Sequence, residues 1–195
     1  MPSYILYKPF GMLSQFTREV PSHITLADLP HRFSKQVYPI GRLDADSEGL
    51  LLLSDDKSLN ARLLHPRYKM PKTYYVQVEG AANEATVKSL VLGIAVRIKG
   101  KNYQLKAKDA QLLSNIPDLP PRNPPIRFRK SVPTTWLAIT LTEGKNRQVR
   151  RMCAAVGFPV LRLVRVGIAG FWYNKGALKD LEPAQVREVS VVLPK

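Results

Sequence analysis

The chain has 195 residues, 45% of them hydrophobic, which is enough to bury the core of a globular domain. Apolar runs such as Leu50–Leu53 are far too short to cross a bilayer, and the first residues lack a secretory signal pattern. The single cysteine, Cys153, excludes an internal disulfide, and no Cys/His spacing is typical of a zinc site. We therefore expect a cytoplasmic protein with no membrane segment and no structural metal.

Short apolar stretches, many of them bounded by turn residues, predict a fold with more strands than helices. The predicted strands cover residues 3–7, 38–43, 50–53, 74–79, 96–98, 103–105, 110–113, 136–142 and 160–166. The predicted helices cover residues 56–64, 83–90 and 147–156, with a helical turn at 25–29. This mixture predicts an α+β fold with a mixed, mostly antiparallel sheet.

The positive charge is concentrated in one part of the chain. The formal net charge is +15, and residues 120–165 hold ten basic residues against one acid, Glu143. Because phosphate contacts dominate the affinity of proteins for nucleic acids, this segment favours an RNA partner. A basic surface without a specific partner is the simpler alternative. An anionic membrane is disfavoured, since the bases do not line one helix face.

Residues 115–133 form a proline-rich segment that we predict to be a basic insertion loop. They hold six of the sixteen prolines, which excludes a helix or an inner strand. The segment carries Arg122, Arg127, Arg129 and Lys130. A stiff basic loop loses less entropy on binding RNA than a flexible one, although a plain surface loop has the same composition.

A polar loop between two apolar segments is the first candidate for chemistry. Gly41-Arg42-Leu43-Asp44 leads into Asp46 and Glu48 and then into the apolar strand at 50–53. A single acid in a loop is usually solvated or caps a helix. Here Gly41 permits close approach and the buried strand anchors the loop, which makes Asp44 the candidate. We expect Asp46 and Glu48 to be solvated or to cap the loop.

The sequence of this loop, Gly41–Asp44 followed by Gly49–Leu53, resembles the catalytic-aspartate motif of the pseudouridine synthases. The branch it resembles is the one typified by a ribosomal small-subunit enzyme. Four further segments resemble the other motifs of the family, in family order and over most of the chain. They are Leu6-Tyr7-Lys8-Pro9-Phe10-Gly11, Lys72-Thr73-Tyr74-Tyr75-Val76, residues 143–152 (EGKNRQVRRM) and Leu163-Val164-Arg165-Val166-Gly167.

The resemblance implies an activity, a fold and a set of site residues. The reaction converts uridine to pseudouridine without a redox step or a group donor, so no cofactor and no metal is expected. The implied fold is a sheet bent into two halves around a central basic cleft. Asp44 matches the catalytic nucleophile or base, and Arg150 matches the arginine that pairs with it. Tyr74 matches the aromatic that stacks on uracil, Arg42 would hold a phosphate or brace the loop, and Leu163 would lie under the base.

Most of this branch carries an N-terminal S4 RNA-binding domain, whereas here the first motif starts within ten residues of Met1. Residues 121–137 resemble the large-subunit rRNA member that lacks this domain. We therefore expect residues 1–195 to form a single catalytic domain, a monomer acting on 23S rRNA or the assembling large subunit. The residues expected to bind RNA are Arg122, Arg127, Arg129, Lys130, Lys145, Arg147, Arg151 and Arg165.

Two alternatives remain open at this point. The chain could modify another RNA, either small-subunit rRNA or tRNA. It could also be a non-catalytic rRNA-binding assembly factor that keeps the scaffold. An intact set of Asp44, Tyr74 and Arg150 weighs against the second alternative, because binding has no need of an aspartate facing phosphate.

Overall fold

The computed structural model describes residues 2–98, 100–127 and 129–191, with residues 64 and 66 described by their backbone alone. The described strands are β1 Ser3–Lys8, β2 Met12–Leu13, β3 Ile24–Thr25, β4 Tyr38–Pro39, β5 Glu48–Ser54, β6 Lys72–Glu79, β7 Ile94–Ile98, β8 Lys101–Leu105, β9 Asp109–Leu112, β10 Thr134–Leu141, β11 Val160–Ile168, β12 Phe171–Trp172 and β13 Val186–Val189. The α-helices are α1 Lys57–Leu64, α2 Glu84–Leu92 and α3 Gln148–Ala155. Short 3-10 helices lie at Leu26–Asp28, Pro66–Tyr68 and Gly176–Leu178.

One large sheet organises the molecule, with the strand order β13-β1-β5-β11-β6-β10-β9. β4 pairs with β5 and β12 pairs with β11, and each of these neighbours is antiparallel except β5 and β11. The predicted α+β fold with a mostly antiparallel sheet is thereby confirmed. Two small sheets, β2-β3 and β7-β8, lie outside it.

The parallel contact at the centre of the sheet is short. It consists of two register positions, Val164 opposite Glu48 and Arg165 opposite Gly49. At Gly49 the backbone has φ +100°, and a Cβ built there would lie 2.3 Å from the carbonyl oxygen of Arg165. Only glycine fits such a close approach. A side chain at position 49 would therefore push apart the two antiparallel halves of the sheet.

Alternation along the strands creates a core on each face of the sheet. On one face, Leu51 and Leu53 of β5 share a cluster with Val76 of β6 and with residues of α2 and α3. On the other face, Leu50 and Leu52 pack with Val164, α1 and the region around Leu178. The run Leu50–Leu53 is fully buried on both sides, as its unbroken apolar sequence predicts.

Helix starts agree with their sequence signals. Asp56 caps α1 by accepting a hydrogen bond from the Ser58 amide, and Asn83 caps α2 by accepting one from the Thr86 amide. The strand predicted at 38–43 is shorter, because pairing with β5 ends at Pro39 and the chain then leaves the sheet. None of the described helices has the length and apolar composition required of a membrane span.

Candidate active site

The loop that carries Asp44 is fixed by hydrogen bonds on both sides of this residue. The Ser14 hydroxyl donates to the Leu43 carbonyl (2.9 Å) and accepts from the Leu43 amide (3.0 Å). The Gly11 amide donates to the Ala45 carbonyl (2.8 Å), and the Ser47 amide donates to the Asp44 carbonyl (3.0 Å). The backbone is thus held in place, whereas the Asp44 side chain stays 40% exposed.

Lys8 also supports the loop that carries Asp44. Its side chain is fully buried, and its Nζ donates to the carbonyls of Met12 (2.7 Å), Pro9 (2.9 Å) and Ala45 (3.4 Å). Burial lowers the pKa of Lys8 to about 7, although the neighbouring carboxylates of Glu48, Asp46 and Asp44 act in the opposite direction. A buried amine satisfied by three carbonyls joins the end of β1 to the Asp44 loop.

Asp44 opens into a cleft of about 750 Å³. The cleft wall includes Tyr74 from β6 and Leu163 and Arg165 from β11, which lie on adjacent strands. Tyr74 and Leu163 are less than a tenth exposed and form the apolar part of the wall. The charged residues that line it are Arg42, Asp44, Lys72, Lys145, Arg147 and Arg165. One carboxylate thus faces several cations beside an aromatic ring.

Arg147 is the arginine that reaches Asp44. Its Nη1 lies 3.4 Å from Asp44 Oδ2, and its two terminal nitrogens bind both carboxylate oxygens of Asp46 at 3.0 and 2.8 Å. Arg147 caps α3 with a left-handed backbone (φ +50°), a conformation uncommon outside glycine. The sequence predicts RNA binding for Arg147, whereas the structure places its guanidinium against Asp44 and Asp46.

The expected pairing of Arg150 with Asp44 is wrong. Arg150 Nη2 donates to the Asp46 carbonyl (2.6 Å) and Nη1 to the Val160 carbonyl (3.3 Å). Its Nε lies 3.3 Å from Asp46 Oδ2 without hydrogen-bond geometry. The side chain is 13% exposed, so it runs beneath the loop rather than into the cleft. From this position, Arg150 ties the loop to the start of β11.

Glu48 is buried rather than solvated, contrary to expectation, whereas the Asp46 side chain stays 35% exposed and is held by arginine. Burial acts to raise the pKa of Asp46, but its hydrogen bonds with Arg147 and the charges of Arg147 and Arg150 outweigh burial, and the pKa is lowered. Glu48 is buried and binds Arg162 through both oxygens, at 2.7 and 2.9 Å. Arg162 also donates to the Pro120 carbonyl (2.7 Å), which anchors the proline-rich loop.

The other arginines and lysines expected to bind RNA fall into three groups. Arg165 is buried (3% exposed) and its Nε donates to the Leu50 carbonyl, so it is a cleft and core residue rather than a surface phosphate contact. Arg127 and Lys130 are exposed. The remaining four have protein partners: Lys145 with Glu143, Arg151 with Asn146, Arg129 with Glu79, and Arg122 with the Pro124 and Pro125 carbonyls.

Some residues of the site could not be identified from the sequence. Ser14 carries no motif signal, and its role follows only from its contact with Leu43. Lys72 lines the cleft, where burial and then the charge of Arg165 lower its pKa. Cys153 is fully buried and burial raises its pKa to about 12, in agreement with the expected core position. Within the described ranges, no cluster of His, Cys, Asp and Glu could hold a metal ion.

Comparison with known proteins identifies the family. Residues 3–155 match the RNA pseudouridylate synthase family model. The chain is 48% identical over 188 residues to ribosomal large subunit pseudouridine synthase E of Vibrio vulnificus, covering 96% of this chain and 74% of that protein. It is also 48% identical over 184 residues to the Xanthomonas campestris protein of the same name, covering 94% of this chain and 92% of that one.

Solved structures agree with the sequence match. A crystal structure of a pseudouridylate synthase superimposes with a TM-score of 0.72 at 25% identity, covering 97% of this chain and 70% of that one. Human RNA pseudouridylate synthase domain containing 1 shares the fold, with a TM-score of 0.58 at 12% identity over 99% of this chain and 87% of the other. The chain that builds this cleft around Asp44 belongs to the RNA pseudouridylate synthase family.

Proposed function

We propose that the protein isomerises a uridine of 23S large-subunit rRNA to pseudouridine, with Asp44 as the catalytic carboxylate. The observation that carries the proposal is the Asp44 side chain, which opens into a basic cleft walled by Tyr74 and Leu163. The substrate assignment rests on the relatives at about half identity, which are named large-subunit enzymes. We infer that the enzyme acts in the cytoplasm as a monomer.

The chemistry requires one bond to break and another to form within one nucleotide. The C1′–N1 glycosidic bond opens, the uracil turns, and C5 bonds to C1′, with no net oxidation. A carboxylate suits this sequence because it can add to a carbon of the substrate and leave again, or take a proton. The position of Asp44 suits either role, whether it acts on the uracil base or on the ribose.

The neighbours of Asp44 divide the remaining tasks. The Tyr74 ring offers a stacking surface for the uracil, an interaction worth about 1–3 kcal/mol per base. Leu163 supplies an apolar wall beside it. Arg147 Nη1 lies 3.4 Å from Asp44 Oδ2 and orients the carboxylate, and Arg42 and Lys145 at the cleft surface are placed to contact phosphates.

Mapping pseudouridines in rRNA from cells with and without this protein tests the proposal. Carbodiimide labelling followed by primer extension reads each pseudouridine as a stop. We expect one site in 23S rRNA to disappear in the deletion strain and to return with the wild-type gene. Loss of a site in 16S rRNA or tRNA would move the activity to that RNA. An unchanged map would favour a non-catalytic assembly factor.

A further inference from the structure

A second groove, of about 830 Å³, lies between the proline-rich loop and the sheet. We define the side groove by its lining residues: Gln77, Glu79, Ile116, Arg122, Ile126, Arg127, Arg129, Lys130, Ser131, Val132, Pro133, Thr134, Val160 and Leu161. Its volume falls within the about 300–1,000 Å³ typical of small-ligand sites. Gln77 is three residues from Tyr74 on β6, so the two side chains project from opposite faces of the sheet.

Hydrogen bonds of Arg150 link a wall of the side groove to the loop that carries Asp44. Arg150 binds the carbonyl of Val160, which lines the side groove, and the carbonyl of Asp46 in the catalytic loop. The guanidinium of Arg122, which also lines the side groove, stacks over the Phe10 ring at 4.3 Å. The neighbour of Phe10, Gly11, holds the Ala45 carbonyl. A strand leaving the cleft could thus pass over the Phe10–Arg122 stack into the side groove.

The lining combines the three kinds of contact that a nucleotide needs. Val160, Leu161 and Ile126 offer an apolar wall for the face of a base. Gln77 donates through its Nε2 to the Thr134 hydroxyl (3.1 Å), which orients the amide so that its oxygen can accept from a base edge. Gln77 and Thr134 lie on the paired strands β6 and β10, and the pairing fixes their positions.

The charge at the rim also fits an RNA strand. Arg127 and Lys130 are exposed, and within the described part of the chain neither pairs with an acidic side chain. Glu79, the one acid of the lining, is bound by Arg129 at 2.8 Å. The rim therefore presents two unpaired cations beside an apolar wall, an arrangement that suits phosphate and base together rather than an uncharged peptide.

We infer that the side groove binds an unpaired nucleotide of the substrate RNA that flanks the target uridine. This inference rests on the proposed function, because it takes the RNA strand to enter from the Asp44 cleft. It assigns the proline-rich loop a defined partner, a single base with its phosphate. A specificity-determining position therefore lies on the opposite face of the sheet from the chemistry.

The first test places an acid in the groove. Ile126→Asp puts a negative charge beside the phosphate, and Ile24→Asp makes the same change at an isoleucine that is 52% exposed, far along the chain. The probe is a 23S rRNA transcript without modified nucleosides. We expect Ile126→Asp to raise both the filter-binding Kd and the enzyme concentration giving half-maximal single-turnover rate by about tenfold or more. The maximal rate should stay within twofold, and Ile24→Asp should match the wild type.

The second test removes the base contact without changing charge. Gln77→Leu takes away the amide, and Gln111→Leu makes the same substitution at an exposed position of β9. We expect Gln77→Leu to raise the Kd for the transcript, whereas Gln111→Leu should leave it unchanged. If Ile126→Asp and Gln77→Leu both bind the transcript as well as their controls, the side groove does not hold RNA and the inference is overturned. Failure of the wild type to form pseudouridine would instead refute the proposed function, and the binding measurements would still decide on the groove.

Discussion

Asp44 is distinguished from its acidic neighbours by having a partly free carboxylate. Asp46 and Glu48 are each held by an arginine through both oxygens, whereas the Asp44 carboxylate has one polar contact among the described residues, at 3.4 Å with Arg147. Asp44→Asn keeps the shape of the side chain and removes its charge, and an amide is a poor nucleophile and a poor base. We expect the single-turnover rate on unmodified 23S transcript to fall by roughly 10⁴-fold while the Kd for RNA stays within threefold. Activity within tenfold of wild type would remove Asp44 from the mechanism.

Arg147 and Arg150 both hold the loop but should respond differently to substitution by lysine. The Arg147–Asp46 pair is 40% and 35% exposed, and exposed ion pairs add little to stability. Lysine at 147 cannot form the two-pronged contact, so Asp44 loses orientation. We expect the single-turnover rate of Arg147→Lys to fall about tenfold or more, with an unchanged melting temperature. Arg187→Lys on the exposed edge strand β13 is the matched control.

The Arg150→Lys variant should lose stability as well as rate. Its guanidinium bridges two carbonyls, those of Asp46 and Val160, and one ammonium cannot span both. A buried carbonyl left without a donor costs about 1–3 kcal/mol. We expect urea unfolding to report a loss of this size for Arg150→Lys. Equal stability of Arg150→Lys and Arg187→Lys would mean that the bridge contributes nothing.

Lys8 makes the stability of the protein depend on pH in a defined direction. Its pKa is about 7 when folded, against an ordinary value of 10.5. Between these values the unfolded chain binds a proton that the folded chain does not, so the contribution of Lys8 to stability rises as pH rises from 7. Below pH 7 both states are protonated and burial of the charge carries its full cost.

Unfolding in urea at pH 6 and pH 9 tests this dependence, with Lys8→Met as the variant that cannot titrate. We expect the wild type to gain stability relative to Lys8→Met between the two pH values. The variant also loses the three hydrogen bonds to Met12, Pro9 and Ala45, which lowers its stability at either pH. A difference between the two proteins that is the same at pH 6 and pH 9 would show that Lys8 keeps an ordinary pKa.

Several side-chain contacts attach the proline-rich loop to the body of the protein, whereas its Arg127 and Lys130 are exposed. Arg162 holds the Pro120 carbonyl, and Arg129 pairs with Glu79. We expect Arg127→Ala with Lys130→Ala to reduce the slope of log Kd against log salt by roughly one unit per lost phosphate contact. The double variant Lys88→Ala with Lys179→Ala removes the same charge from exposed positions elsewhere and should keep the slope. An equal slope in both would mean that Arg127 and Lys130 do not contact phosphates.

Elements were predictable from sequence where local chemistry decides them. The apolar run Leu50–Leu53 predicts a buried strand, and Asp56 and Asn83 predict the starts of α1 and α2. Segments whose structure depends on pairing were less predictable. The two residues of β4 are a strand only because they lie beside β5.

The residues that line the cleft were also partly predictable from the sequence, whereas the side chains that they contact were not. The motifs place Asp44, Tyr74 and Leu163 together correctly. They do not show which arginine reaches Asp44, because that depends on the left-handed backbone of Arg147 and the direction in which α3 starts. The Glu48–Arg162 pair was missed because its members lie 114 residues apart and meet only through the parallel contact of β5 and β11.

Gly49 is the position where the whole sheet is most sensitive to a small change. A methyl group there would meet the backbone of Arg165, which cannot move aside as a flexible side chain could. We expect Gly49→Ala to lose about 3 kcal/mol or more of unfolding free energy. Gly144→Ala, where a Cβ meets nothing within 4 Å, should be close to neutral. Comparable urea midpoints for the two variants would contradict a tight parallel contact.

The parallel junction also governs when the enzyme can become active as the chain folds. β5 and β11 meet late, because contacts between segments so distant in sequence cost loop-closure entropy before they return stabilisation. Asp44 precedes β5 and Leu163 belongs to β11, so residues from both halves of the sheet are needed to form the cleft. During synthesis, β1 and β5 emerge well before β11, so the chain holds no complete cleft until β11 has emerged. In refolding experiments, catalytic activity should therefore recover with the slowest structural phase and never ahead of it.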